Sequence, residues 1–293
     1  MKKTVYIIAA LLFPIVMFSQ ETEEKEKFYK VNKPVRPGFE SGAIMDGQTT
    51  YIPTAKTMEF MMQHRFAPMG NGIKDLFGIY GPGANIRLGM NYSITDYIMV
   101  GYGIMKYNMV SDFQLKVNIL KQTRNNKIPL DVTFYGNLAI DGQNESRYGM
   151  NYSFANRFSY FSELMIARKF GSWLACQVGG SFTHFNAAEL GKEHDKIALH
   201  LVVRAKFSPQ SAIVLNYDWP LLIDGIAENL PMYEPPRPNL CIGYEVATST
   251  HSFQVYIGTS NWIVPQYIVM NNREDWTKGE FIIGFNITRL WSF

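Results

Sequence analysis

Beyond its first twenty residues, the 293-residue chain contains no run of 18 or more apolar residues. A helix needs about 20 such residues to cross the hydrocarbon core of a bilayer, so a helical membrane protein is excluded. Cysteine is scarce. Cys176 and Cys241, on separate predicted strands, are too few to organise a disulfide framework, and both are read as free thiols, buried or lipid-facing. A charge excess is also missing. Taking away residues 1–20 removes Lys2 and Lys3 and leaves 26 basic against 25 acidic side chains, a formal charge of +1. That balance excludes nucleic acid as a bulk electrostatic partner. The five histidines (His64, His184, His194, His200, His251) show no HExxH and no other ligand spacing, so neither a metal site nor a cofactor is expected.

The N-terminus is informative. Lys2 and Lys3 precede "TVYIIAALLFPIVMF", and "SQE" follows. This is the pattern of a secretory signal peptide cleaved near Ser19, Gln20 or Glu21, with a membrane anchor as the alternative. The apolar run is too short to span a bilayer as a helix. No Cys follows it, so a lipoprotein anchor is not expected. Residues 1–20 are therefore read as a signal peptide and residues 21–53 as a periplasmic leader. Within the leader, residues 39–53 are read as a plug, a strap or a plain linker. Residues 54–293 remain for the main domain.

Aromatic residues make up 14% of the chain, and they sit in an alternating pattern. "TMEFMMQHRF" sets Met58, Phe60, Met62, His64 and Phe66 against Thr57, Glu59, Met61, Gln63 and Arg65. "DFQLKVNIL" sets Phe113, Leu115, Val117 and Ile119 against Asp112, Gln114, Lys116 and Asn118. Such period-two runs mark strands, because successive side chains point to opposite faces. Twelve candidates occur, at 57–66, 84–92, 97–105, 112–120, 128–140, 157–169, 173–185, 196–207, 211–219, 239–246, 252–260 and 279–291; ten or fourteen are alternative counts.

Periodicity alone fits a soluble sandwich or a membrane barrel. The connections discriminate. The even-numbered gaps are short, as in "SITD", "GS" is a short sixth and "SPQ" a short eighth. The odd-numbered ones are longer, the third being the weakest case. Short periplasmic turns and longer outer loops are the signature of an outer-membrane barrel. A sandwich has no reason to sort its loops by parity. The fold class expected is all-β, a transmembrane up-and-down antiparallel barrel of about twelve strands in the bacterial outer membrane. Aromatics near strand ends, including Tyr92, Tyr97, Phe158, Trp173, Trp219 and Trp291, suit its interfacial girdles.

The stretch "FIIGFNITRLWSF" fits a barrel strand. Phe285, Ile287, Trp291 and Phe293 face lipid and form the expected assembly signal, with the barrel assembly machinery as partner. Arg289 falls on the same side. It is expected to snorkel to headgroups, a bulge that flips the last residues being the rival reading.

The stretches "FESGAIMDGQTTYIPTAKTMEFMMQHRF", "ANIRLGMNYSITD", "LMIARKFGSWLACQVGGSFTHFN" and "GEFIIGFNITRLW" resemble a Bacteroidetes family of outer-membrane β-barrel proteins of unknown function, the DUF5777 family. The resemblance covers roughly residues 36–293 and implies a Gram-negative outer-membrane location. It carries no activity and no site residues.

The alternation points Glu59, Arg65, Arg87, Asp112, Lys116, Asp131, Glu163, Arg204, Asp218, Glu245 and Glu280 into the lumen. Both signs are present, as in a salt-bridged, hydrated interior or the path of a solute. The function expected is a narrow porin-like or transporter-like barrel for small polar solutes. The alternative is a closed structural or partner-binding barrel acting through its loops, with an outer-membrane lipid hydrolase third. Hydrolysis needs a nucleophile beside a base. "THFN" at 183–186 and "STHSFQ" at 249–254 fall at opposite barrel ends, so no pair can be placed and no enzyme is expected. Surrounding lipid and a small polar solute are the other expected partners. "PMYEPPRPN" and "WIVPQYIV" read as surface loops stiffened by Pro, or as grips for a partner.

Overall fold

The computed structural model describes residues 33–223 and 233–293. The signal peptide, residues 21–32 of the leader and residues 224–232 of the Pro-bearing loop lie outside the described residues. Twelve antiparallel strands pair in sequence order, and the last pairs with the first. Two short strands, β1 (Ala43–Ile44) and β2 (Gly47–Gln48), form a hairpin apart from them. The barrel runs β3 (Thr57–Pro68), β4 (Asn85–Ser93), β5 (Ile98–Met105), β6 (Val110–Leu120), β7 (Asp131–Ile140), β8 (Phe158–Phe170), β9 (Leu174–Phe185), β10 (Asp195–Lys206), β11 (Ser211–Pro220), β12 (Asn239–Ala247), β13 (His251–Gly258) and β14 (Ile282–Ser292). Closure gives every strand two neighbours, which is how a sheet satisfies its backbone in lipid.

The connections are mostly short at one rim and mostly long at the other, 121–130 and 106–109 being the exceptions. One rim carries 94–97, 121–130, 171–173, 207–210 and 248–250; the other carries 69–84, 106–109, 141–157, 186–194, the described residues 221–223 and 233–238 between β11 and β12, and 259–281. Burial alternates along the strands. In β3 each of Thr57, Glu59, Met61, Gln63, Arg65 and Ala67 is buried, and the residues between are half-buried. Outward side chains such as Phe113, Leu115, Phe182, Ile213 and Val255 are exposed. Among the described residues no helix is long and apolar enough to cross a membrane; strands do the crossing.

β14 pairs with β3 in unbroken register from Gly284 opposite Arg65 to Ser292 opposite Thr57. The only shift lies between Ile282 and Gly284, at the long-loop end. Arg289 thus keeps its place on the outer face, opposite Phe60 and His251. Its guanidinium sits 5.2 Å from the centre of the Trp291 ring, near the short-turn rim, where a long cationic chain reaches the headgroup region.

The lumen is occupied from both ends. From the short-turn rim, residues 39–53 fold inward, and Phe39, Ile44 and Met45 pack on Ala167, Ala175, Val202, Val214 and Tyr256 of the wall. From the long-loop rim, the segment after β13 turns inward and forms a short helix, α1 (Pro265–Asn271), with Pro at its first turn. Ile263, Val264, Tyr267, Ile268 and Val269 are all buried. "WIVPQYIV" is therefore not a surface loop. Its apolar side chains find cover inside the barrel, which twelve strands make too wide for wall side chains alone to fill.

Candidate functional site

The inward face is polar, and many of its groups pair with one another, though some buried atoms, Arg204 Nη2 among them, have no hydrogen-bond partner. Glu59, Arg65, Arg87, Asp112, Lys116, Glu163, Arg204, Asp218 and Glu245 are all buried. Asp131 is half-buried at the short-turn rim, where Oδ1 accepts from the Gln122 amide at 2.8 Å. Glu280 is a correction. It is exposed in the loop before β14, and its Oε2 accepts from the Asp275 amide at 2.7 Å. The alternating pattern runs two residues past the paired strand, and the turn closed by Gly279 at φ 75° keeps Glu280 out of the lumen.

Arg87 and Asp112 form a two-pronged pair across β4 and β6, with Nε to Oδ2 at 2.8 Å and Nη2 to Oδ1 at 2.7 Å. The fork geometry explains why Arg serves here. Asn137 Nδ2 and Gln114 Nε2 donate to the same carboxylate, at 3.0 and 3.1 Å. Arg204 Nε donates to Glu245, whose other oxygen accepts from Ser252 Oγ at 3.1 Å.

The hairpin is gripped through its backbone. Wall side chains supply the partners that a buried chain needs. Gln254 Oε1 accepts from the Met45 amide at 2.8 Å, and Asn286 Nδ2 donates to the Met45 carbonyl at 2.8 Å. Glu59 accepts from the Gly42 amide, and Lys116 Nζ donates to the Gly42 carbonyl, both at 2.8 Å. Gln177 accepts from the Thr50 amide at 3.0 Å and donates to the Gln48 carbonyl at 2.7 Å. At the hairpin turn, where Met45 adopts φ 52°, Asp46 pairs with Arg65, both side chains fully buried. The second oxygen of Asp46 accepts from Asn239 Nδ2 at 3.0 Å and from the Cys241 thiol at 3.2 Å. Cys176 and Cys241 are both free.

Between the hairpin turn and α1 lies a cavity of about 10 Å³, lined by Asp46, Gln48, Glu163, His200, Asp218 and Ile268 among others. That is room for about one water. Beside it stands an arrangement the strand pattern does not announce. His200 Nδ1 lies 2.8 Å from Asp218 Oδ1, and Nε2 lies 2.7 Å from Ser181 Oγ. These residues come from β9, β10 and β11. Cross-strand register, which puts His200 directly opposite Asp218, brings them together. The expectation that no nucleophile–base pair can be placed is corrected here: sequence spacing hides a pair created by strand pairing. His184 and His251 do lie at opposite rims, at the end of β9 and the start of β13.

Comparison with solved structures finds distant likenesses, an outer membrane channel and a porin among them. An outer membrane channel of the COG4313 group from Pseudomonas putida F1 aligns at a TM-score of 0.49 with 12% identity, over 88% of this chain and 100% of that one. The KdgM porin aligns at 0.46 with 7% identity, over 81% and 99%. LpxR from Salmonella typhimurium aligns at 0.39 with 10% identity, over 81% and 100%. These are likenesses of architecture. A search of curated proteins gives no match. The model of a membrane-bound β-barrel domain matches residues 39–291, from the lumen hairpin to the last strand. With its closed sheet and apolar exterior, the protein is a β-barrel of the bacterial outer membrane, and the chain belongs to the membrane-bound β-barrel domain family DUF5777.

Proposed function

We propose that the protein is a porin-like barrel for small polar solutes, closed at rest by its own residues 39–53. The observation that carries this reading is the chemistry of the hairpin's seat. The wall holds the hairpin largely through Gln63, Gln177, Gln254, Asn286, Lys116 and Glu59. Water can replace these hydrogen bonds when a segment leaves, while the buried Asp46–Arg65 pair and the packing of Phe39, Ile44 and Met45 keep it seated at rest. The wall left behind on the short-turn side would be a polar lumen of the kind that carries water and solutes, with α1 remaining on the side of the long loops.

The second reading, a closed barrel acting through its loops, draws on the apolar filling around α1. Planar-bilayer recording separates the two. The full chain is expected to pass little current, and a variant lacking residues 41–50 at least tenfold more. A folded deletion variant with no current above background would sink the porin-like reading.

Ser181, His200 and Asp218 have the distances of nucleophile, base and orienting carboxylate. We assign them a structural role, since all three are buried and the neighbouring cavity admits about one water. His200 here gives buried Ser181 Oγ and Asp218 Oδ1 a hydrogen-bond partner, while Asp218 Oδ2 accepts from Asn216 and Asn239. The folded protein is accordingly expected to resist labelling by a fluorophosphonate probe. Labelling abolished by Ser181→Ala would revive the hydrolase.

A further inference from the structure

The geometry points to a binding site for a small soluble anion, a carboxylate or phosphate, in the mouth of the barrel at the short-turn rim. A cavity of about 190 Å³ opens there between the neck of the lumen segment and the wall. Arg36, Lys169, Arg204 and Lys206 line it, with Glu40 as its one carboxylate and Trp173 as an aromatic side. Four cations stand around one lining carboxylate, and among the described residues only Arg204 of the four is in an ion pair, with Glu245 and, at 3.9 Å, with Glu40.

Arg204 gives the site its floor. Its side chain is 3% exposed. Nε is taken by Glu245, and Nη1 donates to the Gly38 carbonyl at 3.3 Å and lies 3.9 Å from Glu40 Oε1. Nη2 is buried without a hydrogen-bond partner. A buried guanidinium N–H left unmade is costly, and an oxyanion in the cavity would satisfy it. Lys169 Nζ meets only neutral carbonyls, of Arg36 at 3.1 Å and Pro37 at 3.5 Å. Among the described residues, no carboxylate forms an ion pair with Lys169 or Lys206.

The same cations hold the neck. Lys169 and Arg204 donate to backbone carbonyls of residues 36–38, just before the plug. An anion that recruits these donors competes with those carbonyls and loosens the neck. This coupling rests on the porin-like reading; the site itself does not.

Calorimetric titration of the full folded chain in neutral detergent at low chloride, with inorganic phosphate and separately with citrate, tests the site. One site per chain is expected. Lys169→Gln with Lys206→Gln should weaken it at least tenfold, and Glu40→Gln, which removes the internal competitor, should strengthen it. The fold of each variant is checked by its heat-dependent gel mobility. Absence of binding to both probes, or equal affinity in the double variant, overturns the proposal. So does binding confined to nanodiscs containing phosphatidylglycerol, which would assign the cations to a lipid headgroup. Anion binding in a protein whose hairpin deletion carries no current would sink the pore and leave the site standing.

Discussion

An Asp46→Asn variant is expected to lose about 3–5 kcal/mol from the seating of the lumen hairpin, the usual cost of removing one partner of a buried ion pair. Asp46 and Arg65 are both fully buried, and Asp46 accepts from Arg65, Asn239 and Cys241 at once. The amide leaves the Arg65 charge without its counterion and turns an NH₂ group towards other donors. Arg65 keeps the Asn286 oxygen at 3.1 Å and the Tyr256 ring at 4.9 Å, which offset only part of the loss. Each 1.4 kcal/mol is a factor of ten, so hairpin amides should exchange with solvent at least a hundredfold faster. Hydrogen exchange at residues 44–48, read by mass spectrometry, measures this directly. Adding Arg65→Gln to Asp46→Asn removes the stranded charge and should recover part of the protection. Wild-type exchange in the single variant would mean that the ion pair does not hold the hairpin.

The second large effect is steric. Gly47 lies so close to the wall that a Cβ there would stand 2.1 Å from Asn216 Oδ1 and 2.7 Å from Val202 Cγ2. Asn216 cannot swing aside freely, because its Nδ2 donates to Asp218 Oδ2 at 2.8 Å. Overfilling a packed interior costs about 1–3 kcal/mol, and Gly47→Val adds two methyl groups beyond that Cβ. The hairpin should be driven from its seat while the barrel strands keep their pairing. Conductance should therefore rise towards that of the hairpin deletion, with unchanged heat-dependent gel mobility. Gly136→Ala is the control. Its Cβ would meet only Phe134, at 3.5 Å, an ordinary contact, and it should leave both readouts unmoved. A folded Gly47→Val protein with wild-type current and wild-type hairpin exchange would show that the seat tolerates the added bulk.

These two positions also mark where sequence reading stops. Gly47 and Asp46 lie in a segment of two-residue strands, too short for any period to register. What holds them is remote in the chain: the partner of the Met45 amide is 209 residues away. α1 escaped for a related reason. Seven residues with a Pro at the start read as an apolar loop until a wide lumen is there to receive them. The Ser181–His200–Asp218 contact depends on register between neighbouring strands, and alternation fixes a side chain's face but not its cross-strand neighbour. Glu280 failed at a strand end, where a turn overrides a pattern that continues on paper.

The sequence by itself determined that this chain is a barrel of about twelve strands, which rim carries the short turns, and which face of each strand meets lipid; the closed sheet fixed the count at twelve. Those properties follow from a two-residue period and from loop length, both local. Even the outward place of Arg289 could be read that way. Only the tertiary structure decided that the lumen is filled, by a hairpin from one rim and a helix from the other, and which inward charges pair. Occupancy of an interior is a property of volume and of contacts between distant residues: twelve strands enclose more space than their own side chains fill, and what fills it depends on which buried polar groups find partners there.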